Sequence, residues 1–115
     1  MEKISIGKLM ELYVDTIGKC GLYLLSEDDE VIGYNIFEEF DIGVNSFLHT
    51  DNLQKLKDAG LINDEIMQKS VTLRNLVQTI QQGDNWNINA VRNSLEWKKI
   101  LELADEIQTM LERNF

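Results

Sequence analysis

Not one proline interrupts the 115 residues. Proline breaks a helix interior because it lacks the N–H and its ring clashes with the preceding turn. A chain without it is free to be helical along its length, and the apolar spacing agrees. Trp97, Ile100, Leu101, Ala104, Ile107 and Leu111 fall at offsets 0, 3, 4, 7, 10 and 14, which is one face of a helix. Ile6, Leu9, Met10, Tyr13 and Ile17 repeat the pattern at 0, 3, 4, 7 and 11. Gly18 and Gly21 are expected to end that first helix.

The segment Leu22-Tyr23-Leu24-Leu25 is either strand-like or another helical turn. Ser26 is the expected cap of a second unit, with Glu27, Asp28, Asp29 and Glu30 in its first turn, where carboxylates meet the positive end of the helix dipole. Ile32, Ile36 and Phe40 form a stripe, and Phe37, Phe40, Val44, Phe47 and Leu48 carry a helical period onward. Gly43 reads as a break or kink within it. Thr50 or Asp51 caps a helix that carries Leu53 and Leu56 and stops at Gly60. Asn63 caps a long helix from Asp64 to about Gln82, with Ile66, Leu73, Leu76, Val77 and Ile80 inside. After a turn at Gly83-Asp84-Asn85 comes a short helical turn from Ile88 to Val91. Asn93 or Ser94 starts the last helix, with Glu96 as capping-box partner of Asn93. No repeat or Gly/Ser linker divides the chain, so residues 1–115 are expected to form one all-α domain, a bundle of five or six helices.

Catalytic and metal chemistry find little to work with. The chain has one histidine, His49, and one cysteine, Cys20. Cys20 stands between glycines at a helix end, away from any helix N-terminus that would lower its thiol pKa. One His and one Cys do not make a closed zinc site. Asp28-Asp29-Glu30 lacks the alternating ligands and central glycine of a calcium loop. No GxGxxG or GxxxxGK[ST] pattern is present. Catalytic residues, metal ligands and cofactors are therefore all expected to be none, and the chain is expected not to be an enzyme. Leu53 to Gly60 followed by Asn63 to Ser70 has helix–turn–helix spacing, but the second helix opens with Asp64-Glu65 and offers only Lys69 and Arg74 to phosphates.

Charge is the more informative feature. Acidic residues outnumber basic ones 20 to 11, a net charge of −9. That balance argues against a nucleic-acid partner. Between Lys19 and Lys55 there is no lysine or arginine, while Glu27, Asp28, Asp29, Glu30, Glu38, Glu39, Asp41 and Asp51 all lie there. The field of such a segment suits a basic protein partner. Tyr34, Phe37, Phe40 and Phe47 interleave with the acids, and any of them left exposed would act as an anchor among charges. Asp28 and Asp29 also fit a helix start. Glu38, Glu39 and Asp41 do not, so these five carboxylates with Tyr34 are the candidate partner-binding residues, led by the latter three. Short apolar runs, a single cysteine and no signal layout at Met1-Glu2-Lys3-Ile4-Ser5 lead to the expectation of a cytoplasmic protein without a membrane partner.

Two stretches also carry a resemblance. Phe37-Glu38-Glu39-Phe40-Asp41-Ile42-Gly43-Val44-Asn45-Ser46-Phe47-Leu48, with Asn52-Leu53 and Asp58-Ala59-Gly60-Leu61-Ile62 after it, is one. The ending Val91-Arg92-Asn93-Ser94-Leu95-Glu96-Trp97-Lys98-Lys99-Ile100-Leu101-Glu102-Leu103-Ala104-Asp105 is the other. Together they resemble small helical immunity proteins encoded beside bacterial polymorphic toxins, including those of contact-dependent growth inhibition. The resemblance covers most of residues 30 to 110. It implies a cytoplasmic, non-enzymatic inhibitor whose partner is a cognate toxin domain, often a basic nuclease. The alternative from the residues alone is a small acidic adaptor or regulator, which could dimerise through the Trp97 stripe. The sequence does not fix the oligomeric state.

Overall fold

A computed structural model describes residues 4–113. Six helices follow one another, with no strand among the described residues. Helix α1 is Ile6–Gly18. A 3₁₀ turn, Leu22–Ser26, leads to α2, residues 29–46, which is built of three abutting pieces. These are α-helical Asp29–Ile32, π-helical Gly33–Phe40 and α-helical Asp41–Ser46. Helix α3 is Thr50–Asp58, α4 is Asp64–Gln81, α5 is Ile88–Asn93 and α6 is Leu95–Arg113.

The ends of these helices are fixed by short polar side chains, some at places other than the sequence suggested. Asn63 and Asn87 cap α4 and α5 by accepting from the Ile66 and Ala90 amides, each at 2.8 Å. Asp28, not Ser26, caps α2: its carboxylate accepts from the Val31 amide at 3.0 Å, while Ser26 closes the preceding 3₁₀ turn. Glu27 and Asp28 thus lie before the first turn, which holds only Asp29 and Glu30. His49 takes the position expected for Thr50 or Asp51, its Nδ1 accepting from the Asp51 amide at 3.2 Å. At α6 Ser94 is the capping residue, through the Trp97 amide at 3.1 Å. That choice puts Glu96 one position too early for a capping box. Helix α3 ends in a Schellman turn. Gly60, with φ of 78°, supplies the left-handed residue, and the Leu61 amide reaches back to the Leu56 carbonyl at 3.0 Å.

One core runs through all six helices. Helix α6 lies at its centre, against α4, α1, α5 and the 3₁₀ turn. Its whole predicted stripe, from Trp97 to Leu111, is buried. In α1 the stripe holds from Leu9 to Ile17, but Ile6 is 42% exposed. In α4 Leu76 is only half-buried, and Met67 and Ser70 join the core instead. The Trp97 indole N–H donates to the Asn85 carbonyl at 2.7 Å, and its ring packs with Trp86 and Phe37. An ion pair, Lys69–Glu106 at 2.7 Å, bridges α4 and α6.

Gly43 is neither a break nor a kink. It is buried inside α2, where a Cβ would overlap the Thr16 side chain of α1. Its missing side chain lets two helices approach closely, which is a packing reason for glycine rather than a conformational one. Gly21 is similar: a Cβ there would strike Asp105, whose carboxylate accepts from the Leu22 amide at 3.1 Å and holds the 3₁₀ turn on α6.

Candidate functional site

The geometry of α2 decides what its acidic segment presents. Five apolar residues four apart, Ile32, Ile36, Phe40, Val44 and Leu48, are all fully buried. Five others four apart, Glu30, Tyr34, Glu38, Ile42 and Ser46, are all exposed. A plain α-helix would not keep either row straight. Four residues advance it by about 400°, so each step drifts about 40° and four steps drift about 160°. Ser46, at the end of α2, would then face nearly opposite to Glu30, and Val44 would stand about 120° round from Ile32. The π segment supplies the correction, because each of its turns takes more residues and rotates the chain less per residue. The Asp41 amide bonds the Ile36 carbonyl five residues back, as that winding requires. The same winding that holds the buried row in the core lines up the exposed row on the opposite side.

The exposed row mixes apolar and acidic groups. Ile42 is 65% exposed and Tyr34 is 51% exposed. Phe40 lies in the core, and Phe37 and Phe47 are half-buried against it, so Tyr34 is the anchor among the four aromatic candidates. The Tyr34 hydroxyl donates to the Glu39 carboxylate at 2.7 Å. That hydrogen bond, and then the charge of Glu39, hold the phenol above its ordinary pKa, with Glu38 and Asp15 adding to the shift. Asp15 comes from α1, so the negative field around Tyr34 is built by two helices.

The six candidate residues divide into two groups. Asp28 is occupied as the α2 cap. Asp29 accepts twice from Arg92, at 2.9 and 3.1 Å, and the same guanidinium donates to the Glu27 carbonyl at 2.7 Å. The acidic stretch is therefore not wholly without a counter-charge, since α5 delivers one to its start. Asp41 accepts from the Gln81 amide at 2.6 Å and ties α2 to the end of α4. These three carboxylates hold the fold together. Tyr34, Glu38 and Glu39 remain together on one face, and among the described residues Asp15, Glu30, Glu38 and Glu39 enter no ion pair.

Asp15, Glu30 and Ile42 were not among the candidates read from the sequence. Glu30 and Ile42 keep a spacing of four with Tyr34 and Glu38, but only the π winding of α2 brings that spacing into register. Nothing in the sequence placed Asp15 there, because its proximity comes from the close approach of α1 and α2 at Gly43.

Other candidate chemistry is structural in this fold. The Trp97 stripe is core, so it is not a surface for dimerisation. Cys20 is fully buried, and burial, with Asp105 adding, pushes its thiol far above the ordinary value. Among the described residues no three His, Cys, Asp or Glu side chains come together where they could hold a metal ion, and no helix is long and apolar enough to cross a membrane. Comparison of the chain with protein-family models, with curated proteins and with solved structures finds no match.

Proposed function

We propose that the chain is an immunity-type inhibitor, a cytoplasmic binding protein that neutralises a basic, nuclease-type toxin domain by occluding its active site or substrate surface. One observation carries this reading: the straight exposed row Glu30, Tyr34, Glu38 and Ile42, flanked by Glu39 and Asp15, with two large side chains standing among unpaired carboxylates. Carboxylates of this kind pair the arginines and lysines that a nuclease uses to hold phosphates. Tyr34 and Ile42 supply contact area that charge alone lacks, and tyrosine is a frequent interface anchor. Self-association through the same row would set carboxylates against carboxylates, which disfavours a homodimer on this face.

The test is the association kinetics of the protein with the cognate toxin domain that this reading requires. Association of the native pair is expected to slow as salt rises, because exposed charges are screened beyond about 8–10 Å at physiological ionic strength. Glu38→Lys is expected to slow association by roughly tenfold or more at low salt. Tyr34→Ala should act mainly on dissociation. Unchanged rates in both variants, each with a native circular-dichroism spectrum, would place the contact on another face.

A further inference from the structure

We propose that the groove between α1 and α6 receives the apolar side of a basic amphipathic helix of the partner protein. This rests on the docking reading above and extends it to a second surface. The groove has a volume of about 540 Å³ and is lined by Met10, Glu11 and Val14 of α1 and by Gln108, Leu111 and Glu112 of α6. Its floor is apolar: Met10 and Leu111 belong to the core cluster, and Val14 is 38% exposed above them. Its two rims each carry an exposed carboxylate, Glu11 on one helix and Glu112 on the other.

An apolar floor between acidic rims specifies its occupant. A helix lying between two others buries side chains spaced three and four apart and sends their neighbours outward to the rims. Lysines or arginines at those neighbouring positions would meet Glu11 and Glu112. Lys8 lies 3.4 Å from Glu11, but both side chains are exposed and the pair is readily exchanged for a partner's cation. A second copy of this chain is a poor occupant, since it would bring like-charged rims together. The groove also adjoins the docking face. Asp15 follows Val14 on the outer ridge of α1 and lies close enough to act on Tyr34. A partner seated on the row of α2 thus needs to cross only the ridge of α1 to reach the groove.

The experiment uses two peptides of about fourteen residues, roughly four helical turns. One is leucine and lysine patterned as an amphipathic helix. The other replaces every leucine by serine at the same charge. Binding to the full chain is read by fluorescence anisotropy. The native protein is expected to prefer the leucine peptide by about tenfold or more, the worth of burying one large apolar side chain. Val14→Lys should abolish that preference, whereas Asp84→Lys, an exposed charge reversal outside both surfaces, should leave it intact. Val14→Ser, which adds no charge, should reduce it and covers the case in which Val14→Lys does not fold. Equal binding of the two peptides, or no binding of either, overturns the groove proposal. So does a leucine preference that survives both Val14 variants in folded protein. None of these results bears on Glu38→Lys against the toxin domain, so failure of the groove and failure of the docking face are separable.

Discussion

Tyr13 shows how a single side chain is set by its surroundings. Its ring is fully buried, and its hydroxyl lies 2.7 Å from Ser70 Oγ. The Ser70 hydroxyl donates to the Ile66 carbonyl at 2.8 Å, so the proton in the Tyr13–Ser70 bond is the tyrosine's. Burial pushes the phenol up to about 12. In the unfolded chain the same group ionises near about 10. Between those two values the folded protein keeps a proton that the unfolded chain has lost. The stability this group contributes is therefore full below pH about 10 and is lost as pH rises towards about 12. Urea midpoints measured across that range should fall for the native protein. Tyr13→Phe should cost about 1 kcal/mol near neutral pH and fall less steeply in alkali. Cys20 is pushed up as well and is present in both proteins, so it cancels from the comparison. Parallel pH profiles would refute the assignment. The α1 stripe made Tyr13 a core residue on sequence alone. Its partner was not legible, because Ser70 is a small polar residue 57 positions away in the chain.

At the scale of elements, α2 is the instructive one. Its apolar spacing of four was visible in the sequence, yet it reads as helix without saying which helix. Two windings can serve a stripe, and only the demand that Ile32 and Val44 reach one core selects the mixed one. Deleting Glu38 would change the offsets of the buried row within α2 from 0, 4, 8 and 12 to 0, 4, 7 and 11. That pattern drifts by only about 60° in a plain α-helix. The deletion is therefore expected to turn the π segment into α-helix and to preserve cooperative unfolding. Deleting Glu102 from α6 makes the contrast. It would rotate Ala104, Ile107 and Leu111 by about 100° from the core face and should abolish cooperative unfolding. Thermal melts followed by circular dichroism decide it, and equal loss in the two deletions would show that the winding of α2 is not what holds its register.

At the scale of the whole molecule the net charge of −9 acts on stability as well as on partners. The unpaired carboxylates Asp15, Glu30, Glu38 and Glu39 lie on one side, where they repel one another in the folded state more than in the open chain. Salt should relieve that. The urea midpoint is expected to rise between about 0.1 M and about 1 M sodium chloride, as the screening length falls from about 10 Å to about 3 Å. The shift should shrink in Glu38→Gln. A midpoint that falls with salt would mean that the ion pairs, such as Lys69–Glu106, outweigh the repulsion.

The sequence by itself determined the class of fold, a bundle of five or six helices, and most of the core. Those follow from proline's absence and from periods that any helix of L-residues must obey. It also determined that the acids are concentrated in one stretch. Apart from Asp28, whose cap is a local bond to the Val31 amide, the tertiary structure decided which of them are free. Asp28 is taken by a cap, Asp29 by Arg92 and Asp41 by Gln81, whereas Glu38 and Glu39 stay on the surface beside Tyr34 and are joined there by Asp15. A carboxylate's role depends on which donor comes within hydrogen-bond reach. For Arg92, 63 residues beyond Asp29, and for Gln81, 40 beyond Asp41, that distance is set by helix packing and not by chain neighbours.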